Sequence, residues 1–598
     1  MNKIFKLFAI FTLLYGITSC AGNKANIDDE KFLTYYEKRG YNETPRYQET
    51  IDYSKMLANE SSKVNYTSIG ISPQGRDIPL LIVDKNGYTS PEKIRKAGRV
   101  IVLAEASIHS GEPDGKDAGL MFIRDIALFD KYPGILDNVS FLFIPIFNVD
   151  GHEDFGAHYR INQNGPEEVG ARFTAQRYNL NRDFIKADAP EMRAFLDLYS
   201  KWMPELFIDF HVTNGADFQY VSTYGLDQCG FLTPNMLSWS QNVFEKQLLE
   251  RMAADNYPIF PYFTMRNIPD FGVGILPDNF PPQYSNGYAG ANNRIGLLVE
   301  NHIYKSYKER VDASYLYMKH SMDILGENAK NLAEEIKKAD EFAASSAFRK
   351  DSVALMFEHD MKSSVPTDYL AWKDTTVVSD LSGANWTYYD YNSPITLNYP
   401  LFTSYRPSAV VKVPEAYIIP AEQLKTIELL GAHSLIYYRL TEDKEIEVES
   451  YLFKNTEWAR NTNEGHITLR TDYDTKVEKI KYHKGDVVVP TSQPRVKVAL
   501  HLLEPKSPTS LVFWGYYINF MRAPNEFYVR VNYMETKGRE MLAKDPELKK
   551  EFENKKASDP AFAKDPNAIL QFFMAKVRES VEIGINRYPV GRIMHSEF

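Results

Sequence analysis

Cysteine is almost absent from this sequence. Only Cys20 and Cys229 occur among its 598 residues. A framework of disulfides and a zinc module built from cysteine thiolates are therefore both excluded. Any metal site in this protein must use histidine, aspartate or glutamate, and the sequence contains 12 histidines and 79 acidic residues.

An excess of positive charge is also absent. The 69 basic and 79 acidic side chains give a formal net charge of −10. A general nucleic-acid-binding protein needs a basic surface that holds phosphates, so we expect no nucleic-acid partner. The composition, with 44% hydrophobic and 25% charged residues, is that of an ordinary soluble globular protein. The length allows roughly two to four domains.

Long apolar runs are missing after the first twenty residues. At the start, two lysines precede the run from Leu7 to Ile17, which has the length of a signal-peptide core and is too short for a stable membrane span. The sequence Ile17 to Cys20 resembles the bacterial lipobox. We therefore predict a lipoprotein signal peptide over residues 1–19 and lipidation of Cys20. A plain secretory signal is the alternative.

The expected location follows from this leader. A lipid-anchored protein would lie in the bacterial cell envelope, facing the periplasm or the cell surface. Its association with the membrane would depend on the lipid anchor alone. Residues 20–50 would form a tether and an N-terminal segment.

Short apolar runs alternate with helical stretches between Tyr53 and Met322. The runs are Pro79–Val83, Val100–Ala104, Phe141–Ile146, Leu206–Phe210 and Ile295–Val299. Strands that are apolar on both faces belong to a sheet covered on both sides by helices. The pattern therefore predicts a three-layer α/β domain over residues 51–325.

The composition changes towards the C-terminus. Residues 304–350 have helical spacing, and we expect the last helix of the α/β domain to be followed by a helical connector over residues 326–352. Short runs rich in tyrosine, valine, threonine and tryptophan then predict a β-rich domain over residues 353–598, which we expect to be a sandwich. Residues 536–585 are rich in lysine, glutamate and alanine and predict a terminal helical segment.

Two histidines stand at the ends of predicted strands. His109 closes the run that starts at Val100, and Glu112 follows three residues later. His211 directly follows the run from Leu206 to Phe210 and would reach the same edge of the sheet, where open α/β sheets place their ligands. Imidazole and carboxylate groups suit zinc, and a catalytic zinc site uses three protein ligands. The spacing therefore favours a metal site.

Glu300 is the third polar residue at a strand end. It follows five apolar residues, and a carboxylate there is costly to bury without a partner. The residues alone leave two interpretations open. Glu300 forms a salt bridge with a neighbouring cation, or it serves as a general base beside a metal.

Together these residues resemble the zinc carboxypeptidases of the funnelin type. The resemblance covers about residues 50–325, and its motifs occur in the family's order. They are His109-x-x-Glu112, Asn148–Gly151 (with valine where the family has proline), Asn179–Phe184, His211 and Glu300. The segment Arg160–Pro166 is similar to bacterial members that carry an extra C-terminal domain. The resemblance implies a zinc-carboxypeptidase-like fold with a mixed central sheet.

The resemblance also implies a catalytic centre with one zinc ion. The implied ligands are His109, Glu112 and His211. Glu300 would be the catalytic glutamate, which takes a proton from water and passes it to the leaving amine. Arg160 is the first choice for the cation that stabilises the oxyanion, and Arg172 is the second.

For substrate binding, the resemblance implies Asn181 and Arg182. They match the pair that holds the terminal carboxylate of the substrate, which an arginine binds through two parallel hydrogen bonds. The alternative for Arg182 is a structural pair with Asp183 or Asp188. The family also has a mobile tyrosine over the substrate. Tyr288 is assigned to that role ahead of Tyr284.

The sequence thus predicts a zinc metallocarboxypeptidase that hydrolyses C-terminal peptide bonds of a peptide or peptide-like substrate with a free carboxylate. One alternative is a zinc amidase or peptidase that acts on peptidoglycan stem peptides or acylated amino acids. Another is a surface-tethered binding protein whose peptidase domain is vestigial. A serine hydrolase is disfavoured because no Gly-x-Ser-x-Gly motif occurs.

Overall fold

The computed structural model describes residues 30–263, 274–521, 530–580 and 586–595. The predicted signal peptide and Cys20 lie outside these residues. Within the described ranges, no helix has both the length and the apolar composition that a membrane span requires.

All five apolar runs form strands of one mixed sheet. The strands of this part of the chain are β1 (Val64–Ile71), β2 (Asp77–Val83), β3 (Val100–Glu105), β4 (Val139–Ile144), β5 (Phe155–Gly156), β6 (Val169–Gly170), β7 (Leu206–Thr213), β8 (Ser222–Gly225), β9 (Ile259–Pro261) and β10 (Ile295–His302). Eight of them pair in the order β1-β2-β4-β3-β7-β10-β8-β9, and β5 pairs with β6 separately. The inner strands β4, β3, β7 and β10 are parallel, so their carboxyl ends share one edge.

Helices cover both faces of this sheet, as the apolar runs predicted. They are α1 (Tyr35–Lys38), α2 (Tyr47–Glu60), α3 (Pro91–Lys96), α4 (Asp114–Ala127), α5 (Val149–Glu153), α6 (Pro190–Trp202), α7 (Pro234–Trp239), α8 (Lys246–Ala254), α9 (Ser285–Ala291) and α10 (Tyr307–Ala344). Phe195 of α6 packs on one face with Leu103, and Phe122 of α4 packs on the other with Val102. Gly115 lets α4 approach closely, because a Cβ there would lie 2.5 Å from the Phe210 side chain.

Helix α10 passes through the position where the α/β domain was expected to end. Its 38 residues run without interruption from a capping box at Ser306 and Glu309 to Ala344. The predicted connector over residues 326–352 is therefore mostly the second half of this helix, followed by α11 (Ser346–Lys350). The apolar positions continue at helical spacing across residue 325, and no proline interrupts them.

The C-terminal region is rich in antiparallel strands. They are β11 (Ser352–His359), β12 (Val365–Val378), β13 (Asn385–Leu401), β14 (Tyr405–Lys412), β15 (Ala416–Ile419), β16 (Tyr438–Arg439), β17 (Lys444–Trp458), β18 (Leu469–Tyr482), β19 (Val487–Pro490) and β20 (Gly591–Ile593). Six of them form the sheet β16-β19-β15-β20-β17-β18, whereas β11 pairs with β14 and β12 with β13 in two-stranded ribbons.

The expected sandwich is not the arrangement found. Helices α12 (Leu424–Ala432) and α13 (Val496–Leu503) pack against the six-stranded sheet, and their apolar residues join one core with α6. The apolar helical segments provide the cover that a second sheet provides in a sandwich.

The terminal helical segment is confirmed. It comprises α14 (Val531–Lys544), α15 (Pro546–Ser558), α16 (Pro560–Lys564) and α17 (Pro566–Ser580). Asp545 and Asp559 accept hydrogen bonds from the first turns of α15 and α16, and proline follows each cap. Asp-Pro is thus the start signal of these helices.

Candidate active site

His109, Glu112 and His211 meet at the carboxyl edge of the central sheet. His109 Nδ1 lies 3.2 Å from His211 Nδ1 and 3.3 Å from Glu112 Oε1, and His211 Nδ1 lies 3.0 Å from Glu112 Oε2. Donor atoms about 2.1 Å from a tetrahedral zinc ion lie roughly 3.4 Å apart. All three side chains are buried, and they form a group that can hold a metal ion. Both the chemistry and the spacing of this donor set fit zinc.

Local structure brings the first two ligands together. The chain leaves β3 at Glu105, and the Glu112 N–H donates to the His109 carbonyl, 2.9 Å away, in a tight turn before α4. Gly111 lies inside this turn, and a Cβ there would be 2.7 Å from the Arg160 side chain. The glycine thus leaves room for an arginine beside the metal ligands.

Each histidine has a second polar partner that fixes its ring. His109 Nε2 lies 3.0 Å from Asn179 Oδ1, and His211 Nε2 lies 2.7 Å from Asp209 Oδ2 and 3.0 Å from Asn181 Nδ2. An oxygen acceptor binds the Nε2–H tautomer and leaves the Nδ1 lone pair for a metal. Asp209 is also a residue that sequence reasoning missed. Its position two residues before His211 on one strand was the available signal, because alternate residues share a face.

The ionisation of the ligands is consistent with a cation between them. Burial lowers the pKa of His109 to about 4, which keeps its imidazole neutral. Burial alone would raise the pKa of Glu112, but His109 and Arg160 hold it well below its usual value. Burial also opposes protonation of His211, but Asp209 raises its pKa well above the usual value. Because a metal binds the neutral imidazole, a metal ion and a proton compete for His211.

Glu300 lies beside the ligands on the neighbouring strand. It is the register partner of His211 in the parallel pair of β10 and β7, so both side chains point to the same face. Burial and the nearby charge of Glu112 raise the pKa of Glu300 to about 8, although His211 opposes this shift. The other interpretation was a salt bridge of Glu300 with a cation, but Arg160, which lines the same cleft, forms its salt bridge with Glu112. This placement favours the interpretation of Glu300 as a base beside a metal.

A cleft of about 290 Å³ opens in front of these residues, and both arginines predicted to stabilise the oxyanion line it. Arg160 donates to Glu112 Oε1 over 2.9 Å and to the Val212 carbonyl over 2.8 Å, so its guanidinium is held in place. Arg172 is more exposed and lies 3.5 Å from Glu112 Oε1.

Asn181 and Arg182 form another wall of the cleft. Arg182 donates to the Asn181 carbonyl over 2.6 Å, and its guanidinium lies 4.5 Å from the centre of the Tyr284 ring. The two aspartates that could have paired with Arg182 are instead paired with Lys186, at 2.6 Å for Asp183 and 2.9 Å for Asp188.

The prediction for Tyr288 is corrected by the structure. Its side chain is fully buried in α9, and its hydroxyl lies 3.0 Å from His433 Nδ1 in the C-terminal region. Tyr284, the residue just before α9, lines the cleft instead. The two tyrosines are four residues apart, but only Tyr288 is within the helix, where the helix turns its side chain into the core.

Several cleft residues carried no signal in the sequence. Tyr262, Asp278 and Phe280 also line the cleft, although no motif assigned them a role. They stand in irregular backbone after β9, where neither period nor motif predicts the direction of a side chain.

A buried cluster of two imidazoles and a carboxylate, with a further glutamate beside it in an open cleft, defines the site of a metal-dependent hydrolase. Comparisons with known proteins agree. Residues 50–228 match the family model of the zinc carboxypeptidases. The chain is 21% identical to Carboxypeptidase 2 of Trichophyton rubrum over 491 residues, which cover 79% of this chain and 84% of the relative. The corresponding protein of Trichophyton equinum is 22% identical, with the same coverage.

Among solved structures, the carboxypeptidase A of Helicoverpa armigera is similar at 15% identity and a TM-score of 0.36. That similarity covers 48% of this chain and 74% of the other. Residues 50–228 therefore resemble the zinc carboxypeptidases, as the motifs predicted, and the family model and the curated relatives support a zinc metallopeptidase of the carboxypeptidase type.

Proposed function

We propose that this protein removes C-terminal residues from peptides by metal-assisted hydrolysis with one zinc ion. The convergence of His109, Glu112 and His211 within 4.8 Å of one another, at the floor of a cleft that also contains Glu300, carries this proposal. When bound there, zinc polarises the scissile carbonyl and makes water a stronger acid.

Glu300 serves as the general base. Its carboxylate takes a proton from the attacking water and gives it to the nitrogen of the leaving amine. The register of β10 against β7 supports this role, because it holds Glu300 beside His211 without making it a ligand. Positioned proton transfer of this kind contributes about 10²–10⁴-fold to the rate.

Arg160 is the cation that we assign to the developing oxyanion. Its hydrogen bonds to Glu112 and the Val212 carbonyl fix the guanidinium before substrate arrives, and such preorganisation is what stabilises a transition-state charge. Arg172 remains the second choice. Separate substitution of each arginine by lysine would rank them, with the larger fall in kcat marking the oxyanion partner.

Asn181 and Arg182 bind the free carboxylate of the substrate. Arg182 faces the cleft from the wall next to the metal ligands, and its stacking on Tyr284 orients the plane of the guanidinium. A planar guanidinium binds a carboxylate through two parallel hydrogen bonds. This arrangement favours substrates with a free C-terminus.

The experiment is digestion of a mixed peptide library, read by mass spectrometry. Wild-type protein should shorten peptides from the C-terminus and spare the same peptides with C-terminal amides. Glu300→Gln should lose about 10²–10⁴-fold in turnover and keep its zinc, because the amide accepts no proton and Glu300 is not a ligand. Full turnover by Glu300→Gln would contradict the role of Glu300.

A parallel digestion of muropeptides tests the alternative that the protein acts on peptidoglycan stem peptides. Their stem peptides also end in a carboxylate, so cleavage of muropeptides without cleavage of the peptide library would replace the proposed substrate. Zinc-loaded wild-type protein that cleaves neither set would support a vestigial domain.

We also propose that the protein acts in the cell envelope, anchored by a lipid at Cys20. The apolar leader and the lipobox-like residues Ile17 to Cys20 support this. Metabolic labelling with a radioactive fatty acid should mark wild-type protein in the membrane fraction. Cys20→Ser should abolish the label, and a label that persists would contradict the anchor.

A further inference from the structure

Glu105 is a buried carboxyl group that the proposed mechanism does not use. It is the last residue of β3, and it is 0% exposed. None of the described residues donates a hydrogen bond to either of its oxygens. A carboxyl group in such surroundings is costly to bury unless it carries a proton and gives that proton to an acceptor.

The acceptor stands on the neighbouring strand. Glu105 and Asp209 are register partners in the parallel pair of β3 and β7, so their side chains leave the same face of the sheet next to each other. Asp209 is 1% exposed, and its Oδ1 has no donor among the described residues. A protonated Glu105 thus lacks an acceptor for its hydroxyl, and Asp209 Oδ1 lacks a donor.

One proton satisfies the pair. Two adjacent buried carboxyl groups cannot both be ionised at neutral pH, because their charges repel in a medium of low dielectric constant. Asp209 has its other oxygen, Oδ2, 2.7 Å from His211 Nε2, so the negative charge is stabilised there. Burial and the charge of Asp209 raise the pKa of Glu105 well above its usual value. The proton therefore belongs to Glu105.

We propose that Glu105 is a positioning residue of the metal centre, whose carboxyl hydroxyl donates to Asp209 Oδ1 and thereby fixes the carboxylate that orients His211. The inference rests on the proposed zinc site. It makes the support of the two histidines unequal: the ring of His109 contacts the neutral amide of Asn179, whereas the ring of His211 contacts the amide of Asn181 and, more closely, a carboxylate that needs a donor of its own.

The test measures zinc affinity rather than activity. Competition with a chromophoric chelator gives the zinc dissociation constant of each full-length variant. Glu105→Met keeps the volume and removes the donor, and it should weaken zinc binding by about 10–100-fold. Glu105→Gln keeps a donor in its amide N–H, so its affinity should stay within about threefold of wild type.

Two controls separate this role from a general effect on the core. Leu103→Met changes a buried residue on the same face of β3, two positions earlier, and should leave zinc affinity unchanged. Asp209→Asn should weaken zinc binding, and Glu105→Met added to it should cause no further loss. Glu105→Leu is a second variant without a donor, and it should show the same loss of affinity if Glu105→Met does not fold.

The outcomes are distinct. Wild-type affinity in a folded Glu105→Met, equal losses in Glu105→Met and Glu105→Gln, or additive losses with Asp209→Asn would each overturn the positioning role. A wild-type protein that binds no zinc would instead overturn the proposed function, and the inference with it.

Discussion

Glu112 at the carboxyl edge of the central sheet and Glu504 in the C-terminal region are both buried carboxylates, but their neighbours differ. Glu504 is 0% exposed, and donors surround it. The hydroxyls of Tyr417 and Tyr451 donate to its two oxygens over 2.6 and 2.8 Å, and Arg592 Nε lies 3.1 Å from Oε1. Around Glu112, in contrast, two imidazole nitrogens converge that can each present a lone pair.

This difference distinguishes a buried carboxylate that stabilises the fold from one that belongs to a metal site. A carboxylate whose neighbours are all donors is already satisfied and stabilises the fold. Lone pairs that converge on one point repel unless a cation or a proton lies between them. Burial and charge alone therefore do not distinguish a catalytic cluster from a structural one, but the direction of the hydrogen bonds does.

Removal of a metal ligand should have the largest effect and tests the assignment of the Glu112 cluster as a metal site. His211→Ala should abolish detectable hydrolysis and retention of zinc, because two remaining ligands do not make a stable site. Metal analysis after dialysis and an activity assay measure both. His501→Ala is the matched control, because His501 is equally buried but bonds to Ser507, and it should keep its zinc. Wild-type zinc content in His211→Ala would contradict the assigned ligand set.

Substitution in the structural cluster should have the opposite result. Glu504→Leu removes the acceptor of two buried tyrosine hydroxyls and leaves Arg592 with Glu449 as its carboxylate partner, and each unpaired hydroxyl should cost about 1–3 kcal/mol of unfolding free energy. Zinc affinity of the folded protein should not change. Thermal and denaturant unfolding provide the measurement, with Glu449→Gln at the partly exposed partner of Arg592 as a milder control. A loss below 1 kcal/mol would show that the cluster is not needed for stability.

Glu191 is a third kind of buried carboxyl group, because it has neither side-chain hydrogen-bond donors nor other metal-binding side chains beside it among the described residues. None of the described residues donates to it from a neighbouring side chain, and burial raises its pKa from 4.5 to about 7. The folded state thus holds its proton more tightly than the unfolded state, so its contribution favours folding at low pH and is lost as the pH rises from about 4.5 through 7. Glu191→Gln should remove up to about 3 kcal/mol of that decline.

Unfolding free energies of wild type and Glu191→Gln, measured between pH 5 and 8, test this sign. The gain from the substitution should grow with pH. A gain that is largest at pH 5 would contradict the assigned protonation of Glu191.

The smallest expected effect concerns the link between the two regions. Asp188 follows the loop that carries Arg182, and it accepts hydrogen bonds from His466 Nε2 and the Tyr516 hydroxyl, each over 2.7 Å. His466→Ala removes one of these anchors and should raise KM for peptides with a free carboxylate by about threefold, roughly 0.6 kcal/mol, which is typical of one hydrogen bond. Steady-state kinetics should show an unchanged kcat.

Tyr516→Phe removes the other anchor of Asp188 and should have a similar effect on KM. Zinc affinity should be that of wild type in both variants. A fall in kcat with no change in KM would mean that the C-terminal region acts on the chemical step rather than on the carboxylate-binding loop.

The sequence predicted those features that depend on near neighbours in the chain. Apolar runs of five or six residues predicted the inner strands, and a histidine at the end of a strand with a glutamate three residues later predicted two ligands. Both rules involve only residues that are close together in the chain. The motif order then led to His211 and Glu300. The same local rules could not place Tyr288 and Tyr284, since whether a side chain enters the core or the cleft depends on where the helix begins.

By itself, then, the sequence determined which residues could bind a metal and which segments could form the sheet that holds them. Only the tertiary structure decided the partners behind those residues. The pairing of Glu105 with Asp209 follows from strand register, and the contact of Asp188 with His466 joins residues 278 positions apart. Such contacts depend on how whole elements pack, because the hydrophobic burial that drives packing is non-directional and no local spacing encodes its outcome.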